Sequence, residues 1–133
     1  SIHPIFLEKH GVKIGLEICY ELRFPEVARK LALEGADLLV TVAQFPHPRK
    51  YLWRTLALAR SIENQMPHIA CNPVGSSPTS SFFGNSMIIG AAGDVLAEAD
   101  DKECMIMHLI DTANTDEVRS DIQVFSDRRA DIY

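Results

Sequence analysis

Cysteine is scarce in this sequence and never clustered. The three present, Cys19, Cys71 and Cys104, are odd in number and far apart, with no C-x-x-C. That argues against a disulfide framework and a zinc cluster, and for the reduced thiols of a cytoplasmic protein. No apolar run approaches the roughly 20 residues that a membrane-spanning helix needs, so no membrane partner is expected. The opening residues lack the basic start and apolar stretch of a secretory signal. The first residue is Ser rather than Met, which leads us to expect that something upstream has been removed. Concentrated positive charge is missing as well. The net charge is -5, and Arg29-Lys30, Arg49-Lys50 and Arg128-Arg129 are isolated basic pairs. A nucleic-acid partner is therefore disfavoured. The five histidines show no ligand spacing, so no metal is expected.

What remains is ordinary globular composition: 133 residues, 47% hydrophobic and 23% charged, enough for one domain with one core. Val12 to Ile18 reads as a strand. Pro25 to Glu34 reads as a helix, with Pro25 in its first turn, Val27, Ala28 and Leu31 on one face, and Gly35 as the stop. Asp37 to Ala43 is a continuous apolar strand. Strand, helix, strand at this spacing predicts a parallel pair with a right-handed crossover, hence the α/β class. A loop at Pro46-His47-Pro48 precedes a helix from about Arg49 to Gln65, which places Leu52, Leu56, Ala59 and Ile62 on one stripe. Pro67 to Val74 reads as a strand and Gly75 to Ser81 as a polar loop. Ser86 to Gly90 and Val95 to Glu98 read as a hairpin around Gly93-Asp94. A further strand is expected at Glu103 to Ile110. A short helix follows to about Ser120, capped by Asp111 or Thr112, and residues 121–133 show little periodicity.

Cysteine is usually a buried core residue, and Cys71 and Cys104 are read so, each on an apolar strand. Cys19 differs. It ends a strand just before a sharp turn into a helix, where open α/β sheets build their sites. A nucleophile on such a turn has its sulfur exposed, and the next peptide N–H, that of Tyr20, points where an oxyanion would develop. A thiol needs a base or cation nearby to form thiolate. Alternation puts Glu17 on the same face as Cys19, where its carboxylate is either a base or a group that raises the thiol pKa.

The run Gly-Leu-Glu-Ile-Cys-Tyr-Glu-Leu-Arg-Phe-Pro-Glu (15–26) resembles the nucleophile segment of the nitrilase superfamily of carbon-nitrogen hydrolases, usually Gly-x-x-Ile-Cys-Tyr-Asp-x-Arg-Phe-Pro-Glu. Further matches occur in that family's order: Ala43-Gln44-Phe45-Pro46, Trp53, the run from Ala59 to Gln65, Asn72, Gly75, Phe83 to Ser86, and the tail from Val124 to Tyr133. Glu21, Phe45, Pro73 and Asn85 depart from the commoner Asp, Trp, Arg and His. The resemblance implies a four-layer αββα sandwich, of which residues 1–133 would form roughly the C-terminal half of a single domain. It implies a Glu-Lys-Cys triad with Cys19 as the nucleophile, its Glu and Lys lying upstream in a missing N-terminal half. It further implies a small-molecule amide substrate, no cofactor and a homodimer. The Cys-Tyr-Glu-x-Arg-Phe-Pro-Glu form is most similar to omega-amidases, which release ammonia from 2-oxoglutaramate or 2-oxosuccinamate. A nitrile or N-carbamoyl hydrolase on the same scaffold, or a non-catalytic chain whose Cys19 is a structural or redox thiol, are the alternatives.

Around the thiol, Arg23 is either a structural ion-pair partner of Glu26 or Glu63, or a bidentate anchor for a substrate carboxylate. Phe45, after a strand's carboxyl end, is a pocket-lining candidate. Glu26 and Glu63 are read as supporting groups behind the site, Glu63 paired with Arg60, and Trp53 as packing. His47 offers a papain-like partner for Cys19 but sits between two prolines in a loop. Gly84-Asn85-Ser86 fails the G-x-S-x-G spacing because position 88 is Ile88.

Overall fold

The computed structural model of the chain describes residues 5–133. Its first strand, β1 (Ile5–Lys9), pairs antiparallel with β2 (Val12–Ile18). A 3-10 turn at Cys19–Arg23 then leads into α1 (Pro25–Leu33), which opens on Pro25, a residue with no N–H to leave unsatisfied. The chain returns as β3 (Leu38–Val42), parallel to β2 with Glu17 opposite Thr41 and Ile18 opposite Val42. The long helix α2 (Lys50–Asn64) follows, ended by Gln65 at φ 45°, and β4 (His68–Cys71) adds parallel to β3. After a small separate hairpin, β5 (Val74–Ser76) with β6 (Ser81–Phe83), the antiparallel strands β7 (Met87–Ile89) and β8 (Val95–Glu98) complete a six-stranded sheet in the order β1-β2-β3-β4-β7-β8. Two short helices, α3 (Ala113–Asp121) and α4 (Val124–Asp127), close the chain.

One face of the sheet is covered by α1 and α2. Leu39 packs with Ala28 and Leu31 of α1, while Ala70, Met87 and Ile89 pack with Trp53 and Ala57 of α2. Gly15 is tight here: a Cβ would lie 3.1 Å from Leu31 Cβ and 3.3 Å from Ala36 Cβ. Along β2 and β3 the alternate positions Ile18 and Val42 point to the opposite face and are exposed, as is Cys71 on β4. The described residues thus form one helix layer on one sheet layer.

Several expectations change. Glu103 to Ile110 forms no strand. Its composition favours β structure, but a strand requires a ladder partner, and no edge among the described residues pairs with it; Met105, Met107 and Leu109 are exposed. The buried stripe of α2 is Trp53, Ala57, Arg60, Ser61 and Asn64, while Leu52 and Ile62 face outward. Polar residues can occupy the inner face because each finds a partner: Ser61 donates to the Gly90 carbonyl, Asn64 to the Arg60 carbonyl, and Arg60 to Leu22. Cys71 and Cys104 are exposed rather than buried, Cys71 because it ends β4 on the uncovered face and Cys104 because its segment is no strand. The polar run after Gly75 holds the ends of a hairpin, and β1 arises from a segment with no strand signal read in it. Thr112 makes no side-chain cap on α3; the Ala113 N–H donates to Asp111 Oδ1 instead.

Candidate active site

Cys19 stands at the carboxyl end of β2 with φ 50°, a left-handed conformation that a side-chain-bearing residue adopts only where its surroundings hold it. Three contacts do so. The Ile18 N–H donates to Glu21 Oε2 at 2.7 Å, folding the turn back on the strand. The Phe24 N–H donates to the Glu21 carbonyl at 2.9 Å and ends the turn. The buried Arg60 donates from Nε and Nη2 to the Leu22 carbonyl, and its Nη1 donates to Glu63 Oε1 at 2.8 Å. Leu22 itself is fully buried, so the elbow is pinned from below by packing and from the side by α2.

Two hollows meet at the thiol. One, of about 400 Å³, is lined by Cys19, Tyr20, Arg23, Gln44, Phe45, Pro46 and Arg49. The other, of about 530 Å³, is lined by Ile18, Cys19, Val42, Ala43, Gln44, Cys71 and Pro73 and opens onto the uncovered sheet face. The sequence candidates Cys19, Tyr20, Arg23 and Phe45 are therefore brought together. Phe45 is buried against Trp53 and fixed at its backbone by Asn72, whose Oδ1 accepts from the Phe45 N–H at 2.6 Å and whose Nδ2 donates to the Phe45 and Gly84 carbonyls. The Trp53 indole N–H donates to the Asn85 carbonyl at 2.8 Å, consistent with packing.

Arg23 makes no ion pair with Glu26 or Glu63. Its guanidinium carbon lies 5.6 Å from the Phe45 ring centroid and 5.9 Å from that of Tyr20, within cation-π range of both rings. Glu63 is held by Arg60, and Glu26 is exposed. Both acids line a separate cavity of about 510 Å³ between α1, α2 and the chain's tail. No cysteine lines this hollow, whereas Cys19 lines both of the others. His47 is exposed, sets its ring edge-on to Phe83, and lines neither hollow at the thiol.

Glu17 faces the helix layer and lines neither hollow. Its side chain is buried, and burial pushes its pKa up to about 7, against smaller opposing effects of Thr41 and Arg60. The Thr41 hydroxyl lies 2.6 Å from Glu17 Oε1 and 2.6 Å from His68 Nε2, while His68 Nδ1 lies 3.0 Å from the Ala57 carbonyl oxygen. Burial pushes the His68 pKa down to about 4.

Arg49 and Gln44 are additions that sequence reasoning did not single out. The available signal was their place after the carboxyl end of β3, the same reasoning that selected Phe45. Among the described residues no group of three His, Cys, Asp or Glu side chains is arranged to hold a metal, and no helix is long and apolar enough to cross a membrane.

The family model for carbon-nitrogen hydrolases matches residues 2–120. A 2-oxoglutaramate amidase of Bacillus subtilis (strain 168) is 44% identical over 128 residues, covering 96% of this chain and 49% of the relative. The crystal structure of a carbon-nitrogen hydrolase from Helicobacter pylori G27 superposes with a TM-score of 0.89 at 34% identity, over 93% of this chain and 48% of that one. A mutant of the amidase from Nesterenkonia sp. AN1, with the acetamide moiety of fluoroacetamide covalently added at its active-site cysteine, superposes with a TM-score of 0.84 at 26% identity, over 99% and 47%. The chain spans about half the length of the relatives it matches.

Proposed function

This chain belongs to the carbon-nitrogen hydrolase family, and from that premise we propose that it carries the nucleophile and the carboxylate-binding side of an omega-amidase-like active site. The observation that carries the reading is the pairing of a left-handed Cys19 elbow with an Arg23 that has no carboxylate partner among the described residues. Sγ of Cys19 attacks the amide carbonyl and forms a tetrahedral oxyanion, which the Tyr20 N–H receives; the first N–H groups of a helical turn have no partner within it. Collapse expels ammonia, which takes a proton, and leaves a thioester. Water then attacks the thioester, releasing the acid and restoring the thiol.

The base and the lysine that this chemistry uses are supplied by the other half of the enzyme, which covers the exposed sheet face beside Cys19. The 133-residue chain alone is then inactive. The whole enzyme is a cytoplasmic homodimer acting on a small amide. Arg23 and Arg49 on one side of the cleft favour a monoamide that bears a distal carboxylate, in keeping with the 2-oxoglutaramate amidase among the relatives. Ammonia release by the complete polypeptide tests this directly. Preference for 2-oxoglutaramate over a neutral amide of equal length, lost in Cys19→Ser, is expected. Turnover of a nitrile or an N-carbamoyl compound in place of either amide would overturn it.

A further inference from the structure

We propose that Glu17 enters the fold as a protonated acid and is a positioning residue for Cys19, acting through an ordered chain of hydrogen bonds from Glu17 to Thr41 to His68 to the Ala57 carbonyl. The Ala57 carbonyl only accepts, so His68 Nδ1 carries a proton. The Thr41 hydroxyl has one proton and two close neighbours, Glu17 Oε1 and His68 Nε2, each at 2.6 Å. An ionised Glu17 beside a neutral His68 is excluded, because the hydroxyl would satisfy one acceptor and press its lone pairs on the other. Three arrangements remain: an acid Glu17 with a neutral imidazole, an acid Glu17 with an imidazolium, or a carboxylate with an imidazolium; only the first carries no charge.

Burial decides between them. Both side chains are nearly or fully buried, and charge in such a place is costly. Oε2 of Glu17 is buried without a partner, which a neutral carbonyl oxygen tolerates better than half of a carboxylate. The surrounding charges act in opposite directions: Arg60 of α2 favours the ionised form, while Glu21 of the turn and Glu63 of α2 oppose it. Glu17 therefore donates to Thr41, Thr41 to Nε2, and Nδ1 to Ala57. This chain ties β2, β3, β4 and α2 together one residue pair short of the elbow, since Ile18 opposite Val42 is the last register before Cys19.

The sign of the pH dependence follows. Glu17 is raised from 4.5 to about 7 and His68 lowered from 6.5 to about 4. Between pH 4.5 and 6.5 the pair holds one proton when folded, on Glu17, and one when unfolded, on His68, so its contribution is flat there. The Glu17 contribution alone is full below pH 4.5 and lost as pH rises to about 7. Glu17→Gln keeps a donor to Thr41 at every pH and removes that loss. In the complete polypeptide, the stability of Glu17→Gln minus that of the wild type, from denaturant unfolding at each pH, is expected to rise from pH 4.5 to 7 and then level. The ratio of their Cys19 alkylation rates is expected to change over the approach to pH 7. A pH-independent difference in stability overturns the protonated state, and a constant ratio overturns the positioning role. Infrared spectra of the wild-type complete polypeptide keep the test open if the variant does not fold. A protonated-carboxyl stretch is expected at pH 6 and should fade above pH 7; its absence at pH 6 overturns the proposal.

Discussion

Arg60 of α2 donates twice to the carbonyl oxygen of Leu22, from Nε at 3.1 Å and from Nη2 at 2.8 Å. A buried guanidinium thus serves the backbone of the turn that carries the thiol, and the side chain of Glu63 orients it from the next helical turn. Sequence spacing shows Arg60 and Glu63 as a pair on one helix, but the carbonyl they serve lies 38 positions upstream of Arg60.

Arg60→Lys keeps the charge and loses the fork. Leaving one or two of these bonds unmade in a buried place is expected to cost about 1–3 kcal/mol. The melting temperature should fall and alkylation of Cys19 should slow, because the elbow no longer holds its left-handed geometry. Unchanged melting with unchanged alkylation would show that packing of Leu22 alone holds the turn.

Arg23 and Arg49 share a cleft with Cys19 and have no carboxylate partner among the described residues. Arg23→Lys and Arg49→Gln in the complete enzyme are each expected to raise KM for 2-oxoglutaramate by about ten- to a hundredfold, the worth of one charged hydrogen bond. Turnover of a neutral amide should be little altered. Equal losses on acidic and neutral substrates, together with lower melting temperatures, would make both arginines scaffold and remove the case for an acidic substrate.

The purified 133-residue chain is expected to hydrolyse amides several orders of magnitude more slowly than the complete enzyme, as triad members removed singly do elsewhere. Ammonia release from 2-oxoglutaramate measures this. Comparable turnover by the chain alone would mean that its own groups supply the base and the oxyanion cation.

The strand, turn, helix and strand around Cys19 were legible because each depends on nearby residues: β-branched runs, Pro25 in a first turn, Gly35 as a stop. Phe45 was picked out by the rule that sites gather at the carboxyl ends of parallel strands, and Tyr20 and Arg23 by their nearness in sequence to Cys19. What failed depended on partners far along the chain. Glu103 to Ile110 is largely apolar, but no edge among the described residues pairs with it, so composition misled. The α2 stripe was misplaced because hydropathy counts Arg60, Ser61 and Asn64 as outward, whereas Leu22, Gly90 and the helix's own carbonyls accept their hydrogen bonds. Arg49 was passed over as one of an isolated basic pair. Only the fold shows that it shares a cleft with Arg23.

Acylation of Cys19 is the step on which the proposed reaction depends. The complete enzyme should be mixed with a slowly turned-over amide, quenched in acid, and its peptides mapped by mass spectrometry. A mass increase equal to the acyl group on the peptide containing Cys19, absent from Cys19→Ser, which should also release no ammonia, is the expected result. An acyl group on Cys71 or Cys104, or sustained turnover by Cys19→Ser, would contradict it.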